Sequence, residues 1–156
     1  MEKNKKLIPG LPTGFEDRWG KKLYLKKELI KLIEENFIKY GFEPLETPSF
    51  EISSNIGSFL ADDDSNPMSD VFTFNDGEKN ITLRYDLSSP LARFVAQNNQ
   101  ELPLPYKRYA IQNVFRNEKA GNARYREFTQ ADCDIVGNAN PSQSNAELCN
   151  LIASTL

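Results

Sequence analysis

Between Asn113 and Asp134 the sequence reads NVFRNEKAGNARYREFTQADCD, and residues with chemical use fall at every second position. Arg116 and Glu118 share one parity on the first limb. On the second limb Arg124, Arg126, Phe128, Gln130, Asp132 and Asp134 share a parity, while Tyr125, Glu127, Thr129, Ala131, Cys133 and Ile135 take the other. Strand side chains alternate between faces, so one face would be mostly small and apolar and the other would carry cations, a ring, an amide and carboxylates. A guanidinium fork suits a phosphate through paired charge-assisted hydrogen bonds. The Phe128 ring could carry a purine by stacking, worth roughly 1–3 kcal/mol. Glu118 could accept from an exocyclic amine, and Asp86, Gln130 and Asp134 could hold an ammonium and a polar side chain. Together these groups suit an adenine nucleotide beside an amino acid. Periodicity alone leaves a second reading open: a solvated face with cross-strand ion pairs, Arg124 pairing with Glu127 or Glu118 and Asp86 merely capping a helix. Phe128 is the member that a solvated face does not explain.

The elements that would position these residues can be read from pattern. Residues 1–16 form a polar lead-in broken by Pro9, Gly10, Pro12 and Gly14. From Asp17, a candidate N-cap, Trp19, Leu23, Ile30, Ile33 and Phe37 recur at helical steps until Gly41 stops them. GFEPLETPSFE predicts a short extended piece between Pro44 and Pro48, suited to an edge. Residues 53–70 read as loop or short helix with a solvated acidic run, ADDDSNP. VFTFNDGEKNITLRYDL alternates on both sides of NDG and predicts a hairpin, whose return strand puts Arg84 and Asp86 on one face. A helix follows, capped by Ser89 with Pro90 at its first helical position. Two long strands joined by KAGN come next, and Arg84 and Asp86 could join their polar face from a third strand. A last helix has Asn140 as its cap and a stripe of Leu148, Ile152 and Leu156. The order favours an α+β fold, an antiparallel sheet flanked by helices.

The 156 residues are enough for a real core, and 39% apolar with 26% charged content is that of an ordinary folded domain. A net charge of −3 argues against nucleic-acid binding by bulk charge, though not against a local basic site. There is no histidine, which removes Ser-His and Cys-His nucleophiles and most zinc sites. The two cysteines, Cys133 and Cys149, have neither metal-ligand nor disulfide spacing, and Cys133 reads as a small buried hydrophobe. No signal-peptide core or long apolar run is present, so the expectation is a cytoplasmic protein without a membrane span.

VFRNEKAGNARYREF resembles the second signature motif of class II aminoacyl-tRNA synthetases: an FRxE strand, a loop, and RxRxF on the return. TLRYDLSSPLARFVAQN and YREFTQADCDIVG resemble histidyl-tRNA synthetases in particular, as do LPTGFEDRWG and YGFEPLETPSFE at the N-terminal entry and first motif. The resemblance runs from about Leu11 to Leu156 and implies a class II catalytic fold that joins histidine to tRNA(His) with ATP. It implies that Arg116 contacts the α-phosphate and is the catalytic residue, that Glu118 reads the adenine amine, and that Phe128 stacks on the ring. Arg124 and Arg126 would serve the outer phosphates or the tRNA end. Asp86, Leu87, Ser88, Gln130 and Asp134, with Arg116, would bind histidine. Mg²⁺ would bridge the ATP phosphates, with no protein metal ligands assigned. The family's dimer uses the first-motif region, here about Arg18–Phe50, so a homodimer is implied.

The family's third motif and its anticodon-binding domain have no counterpart here, so residues 17–156 read as an N-terminal part of the catalytic domain, whose activity alone would be small. Asp86 stands where many bacterial members carry glutamate, and LRYDL is the form of another branch. The rival reading is the synthetase-like regulatory subunit of ATP phosphoribosyltransferase, which shares the fold without needing the adenylate residues. A plain nucleic-acid-binding hairpin is disfavoured by the acidic balance.

Overall fold

The computed structural model describes residues 8–56 and 70–155. The acidic run at 61–67 lies outside the described residues, as do Leu156 and the first seven residues of the lead-in. The elements run α1 (Gly20–Lys39), β1 (Glu43–Pro44), β2 (Phe50–Ile52), α2 (Ser53–Ile56), β3 (Thr73–Asn75), β4 (Asn80–Leu83), α3 (Ser88–Asn98), β5 (Tyr106–Phe115), β6 (Glu127–Val136) and α4 (Pro141–Thr155).

The two long strands β5 and β6 pair antiparallel over their whole length, from Tyr106 opposite Val136 to Phe115 opposite Glu127. Directly opposed residues share a face, so even-numbered positions of both strands look one way. The odd side carries Tyr109, Ile111, Cys133 and Ile135, which pack with Phe37, Phe42, Leu148 and Leu151 between α1 and α4. Burying a leucine such as Leu151 is worth about 1.5–3 kcal/mol, and Leu151 is 1% exposed. The even side has a small apolar patch of its own, Leu87, Ala110 and Val114, with Phe128 packed against it.

The sheet is not wholly antiparallel. The extended piece expected between Pro44 and Pro48 splits: β1 joins β5 in parallel, at the edge, and β2 joins β4 and β3 in a second three-stranded sheet. Pro44 lacks an N–H, and an edge position tolerates that. The NDG hairpin forms as expected, with Asn75 opposite Asn80. Asp76 Oδ1 accepts from the Glu78 and Lys79 amides at 2.9 and 2.7 Å, and these bonds hold its carboxyl below the usual range.

Three helix starts differ from, or refine, the pattern. The first helix begins at Gly20, not after Asp17, and Trp19 at the cap makes no side-chain bond. The preceding residues are drawn to the end of β6 instead: Arg18 donates to the Glu127 carbonyl at 3.2 Å and pairs with Glu16 at 2.7 Å. Trp19 therefore stays 77% exposed and leaves the core stripe to Ile33 and Phe37. The third helix is capped by Asp86, not Ser89: Asp86 Oδ1 accepts the Ser89 amide at 2.9 Å, because Leu87 at the cap has no acceptor to offer. Asn140 caps α4 as its position predicts, accepting from Ser142 at 3.0 Å. The α4 core residue is Leu151, while Ile152 is 54% exposed. The far end of α4 has no local stop signal; Asn36 from α1 donates there to the Leu151 carbonyl at 3.2 Å and to Ser154 Oγ at 2.9 Å.

Candidate nucleotide and amino-acid site

The even face of β5 and β6 extends past the ends of both strands. The Arg116 amide donates to the Arg126 carbonyl at 2.8 Å, so the pair stays in register as the chain opens into the Lys119–Ala123 loop. The Arg126 amide donates to Gly14 at 2.8 Å, and a Cβ on Gly14 would sit 2.7 Å from the Arg126 side chain. Gly14 also has φ +88, so the lead-in glycine serves both close approach and backbone conformation. Arg126 Nε donates to the Glu118 carbonyl at 2.8 Å, which makes it a brace across the loop mouth.

Arg116, Glu118, Ala123, Arg124, Tyr125 and Phe128 line one hollow of about 340 Å³. The Arg116 guanidinium lies 4.4 Å from the Tyr85 ring centre and 5.1 Å from that of Phe128, and its Nε reaches the Tyr85 carbonyl at 3.3 Å. Glu118 pairs with Arg124 and accepts from the Tyr85 hydroxyl at 3.1 Å. The Arg124 bond, then the Tyr85 bond, hold the Glu118 carboxyl below the usual carboxylate range. Burial, and after it Glu118, push the Tyr85 phenol up.

Deeper along the same face, Gln112 stands opposite Gln130, and Arg108 opposite Asp134. Gln112 is turned to the chain between β1 and β2, donating to the Thr47 carbonyl at 3.1 Å. Gln130 Oε1 is buried without a hydrogen-bond partner. Arg108 Nη2 lies 2.7 Å from Asp134 Oδ2, close enough for an ion pair but without hydrogen-bond alignment. Burial pushes the Asp132 carboxyl up; Arg108 opposes this, Asp134 and Asp86 add to it, and Arg116 lowers it slightly. That set of neighbours brings Asp86 and Arg116 to the same floor as β6.

Not every expected residue is there. Arg84 leaves the face altogether: it is 4% exposed and donates to the Thr47 carbonyl at 2.7 Å and the Asn113 carbonyl at 2.6 Å, because β4 belongs to the other sheet. Leu87 is a core side chain, 2% exposed, and offers the floor only its carbonyl, which accepts from Arg108 at 3.0 Å. Ser88 lines a different hollow of about 610 Å³ with Asn55, Ala92 and Arg93. Three residues join that sequence reasoning did not assign to the site: Tyr85, Arg108 and Asp132. Parity was the available signal for Arg108 and Asp132; for Tyr85 it misled, since alternation sets Tyr85 with Leu83 and Leu87 on the face opposite Arg84 and Asp86, whereas β4 ends at Leu83 and Tyr85 turns to Arg116 and Glu118.

A mixed sheet with helices on its apolar side, and an arginine, glutamate and phenylalanine hairpin on its open side, has the architecture of the class II aminoacyl-tRNA synthetase catalytic fold. Comparison with known proteins narrows the class. The family model described as histidyl-tRNA synthetase matches residues 14–156. The histidine–tRNA ligase of Pelagibacter ubique (strain HTCC1062) is 82% identical over 156 residues, which is 100% of this chain and 34% of that protein. The histidine–tRNA ligase of Rhodopseudomonas palustris (strain TIE-1) is 44% identical over 99% of this chain and 30% of its own length. The crystal structure of histidyl-tRNA synthetase from Nostoc sp. PCC 7120 superposes with a TM-score of 0.79 at 26% identity, covering 94% of this chain and 33% of that one. The chain belongs to the histidyl-tRNA synthetase family, and it spans about a third of the length of these relatives.

Proposed function

We propose that the full-length protein containing this chain is a histidine–tRNA ligase, which activates histidine with ATP to histidyl-adenylate and passes it to tRNA(His). The observation that carries this reading is the single hollow shared by Arg116, Glu118 and Phe128, in a chain 82% identical to a protein of that name. Phe128 takes the adenine ring, Glu118 accepts from its amine, and Arg116 neutralises the α-phosphate as the histidine carboxylate attacks it. The arginine is then a preorganised charge where negative charge develops. Arg124 and Arg126 face the outer phosphates or the tRNA end. Asp86, Gln130 and Asp134 receive the amino acid, and the unsatisfied Gln130 Oε1 is an acceptor suited to that task. Before ATP binds, Glu118 is paired with Arg124 and Tyr85 and has to exchange a partner for the adenine amine.

Magnesium enters with the nucleotide. It would bridge the ATP phosphates and supply positive charge there. Residues 17–156 are read as part of the catalytic domain, in a chain that spans 34% of the length of the Pelagibacter ligase. The regulatory-subunit alternative is not favoured, since the relatives at 82% and 44% identity are histidine–tRNA ligases. Among the described residues no helix is long and apolar enough to cross a membrane, and a translation enzyme would work in the cytoplasm.

A homodimer through the Arg18–Phe50 region is part of the reading. Leu25, Leu29 and Leu32 lie along one side of α1 and are 60, 56 and 54% exposed, an apolar stripe that a partner surface would cover. Sedimentation of the full-length protein at twice its monomer mass is expected; a monomer at micromolar concentration removes this clause.

ATP–pyrophosphate exchange tests the activity. Exchange should depend strictly on histidine, and Arg116→Ala should lower its turnover on the order of 10²–10³-fold. Exchange driven by another amino acid, or untouched by the substitution, overturns the proposal.

A further inference from the structure

Arg108 occupies the middle of β5 on the site face and is 0% exposed. It cannot touch a ligand, yet its hydrogen bonding is that of a residue placed for something other than stability. Only Nη2 is engaged, donating to the Leu87 carbonyl at 3.0 Å and lying 2.7 Å from Asp134 Oδ2. Nε and Nη1 are shut away from solvent with no hydrogen-bond partner. Arg84 provides the contrast within the same molecule. It is just as deeply buried, and two of its nitrogens donate to backbone carbonyls at 2.6 and 2.7 Å. Buried donors are normally satisfied, so an arginine that leaves two of its nitrogens idle is held there by charge.

Asp132 and Asp134 project from β6, Asp86 projects from the turn before α3, and all three bear on one floor. Burial, and after it the charges of Asp134 and Asp86, disfavour the ionised form of Asp132. Arg108 opposes that shift from below, and Arg116 does so from the open end of β5. Asp134 keeps 34% of its side-chain surface open while Oδ2 is tied down against Arg108. The carboxylate is thus paired through its buried oxygen and keeps the rest of itself open on the site face.

We propose that Arg108 is a positioning residue for amino-acid recognition, acting through Asp134 by fixing the orientation in which that carboxylate meets the incoming side chain. This rests on the reading of Asp134 as a histidine contact. The placement of the guanidinium matters as well as its charge, because its Nη2 is shared between the Leu87 carbonyl and the carboxylate.

A double-substitution cycle in the full-length protein tests it, with KM for histidine and KM for ATP measured separately by pyrophosphate exchange. Arg108→Met should raise the histidine KM about tenfold and move the ATP KM by less than about twofold, as expected for an effect confined to one contact. Asp134→Asn should act in the same direction. The two together should be no worse than Asp134→Asn alone, since Arg108 has nothing left to act through. Arg108→Lys keeps the charge without the fork and should fall between. An unchanged histidine KM, an equal rise in both KM values, or additive effects would each overturn the proposal. Should Arg108→Met not fold, the comparison of the double variant with Asp134→Asn decides, because the double variant leaves no unpaired buried charge. Absence of histidine-dependent exchange in the unsubstituted protein is a different failure, that of the activity reading, and is seen before any substitution is made.

Discussion

The two faces of β5 and β6 are built by alternate residues of the same strands, yet they treat polar groups in opposite ways. On the odd face every polar side chain described has been matched to a neighbour. Lys26 from α1 donates to Thr129 at 2.5 Å, Thr129 to Asn113 at 2.7 Å, and Asn113 to Glu127 at 2.8 Å. Tyr109 donates to Glu34 at 2.8 Å; burial first and then this carboxylate push its phenol up to about 12. On the even face Arg108 Nε and Nη1 and Gln130 Oε1 are buried without partners. A face that only supports the fold tends to close its hydrogen bonds, and a face that leaves them open is set up to receive something. The difference also explains why a charged face and a core face can share one hairpin: α1 and α4 cover the odd side, and the even side keeps only a small apolar patch.

Substitutions that strike one face and spare the other sharpen this contrast. The largest effect is expected for Leu151→Ala, which empties a fully buried position behind the sheet and should cost about 2–5 kcal/mol of stability. Denaturant melts of the full-length protein measure it, and exchange activity per folded molecule should be unchanged well below the transition. A large change in KM at full folding would show that the faces are mechanically coupled and break the separation. A smaller effect, of opposite character, is expected for Phe128→Leu, which keeps the apolar contact to Val114 and Leu87 but removes the aromatic platform. Loss of stacking worth roughly 1 kcal/mol or more should raise the ATP KM about fivefold or more, with little change in the melt. An ATP KM that stays put would mean that the purine does not rest on this ring.

Much of this arrangement was legible in the sequence because pleating is a local property. The alternation from Arg124 to Asp134 predicted two faces, and the register from Tyr106 to Val136 realises them. The NDG turn, the Asn140 cap and the glycine stop after α1 were likewise readable, since each depends on a few neighbouring residues. Legibility failed where an outcome depended on distant chain. Asp17 did not cap α1 because Arg18 is held at the end of β6, more than a hundred residues away in the chain. Asp86 took the capping role given to Ser89 because the helix begins two residues earlier than the serine pattern suggested.

The arginines mark the boundary most clearly. By parity and composition, Arg84 and Arg108 are the same kind of residue, a cation within a strand-forming segment. Amino-acid order determined that each would point to one side of its strand. Backbone bonds from the Arg84 amide to Ser49 and from the Phe115 amide to Arg84 decided that Arg84 would meet the carbonyls of Thr47 and Asn113, and pairing with β6 decided that Arg108 would lie beneath Asp134. Side-chain direction follows from the alternating backbone and is written locally. The partner found in that direction follows from which other element is brought there, and only the assembled fold supplies it.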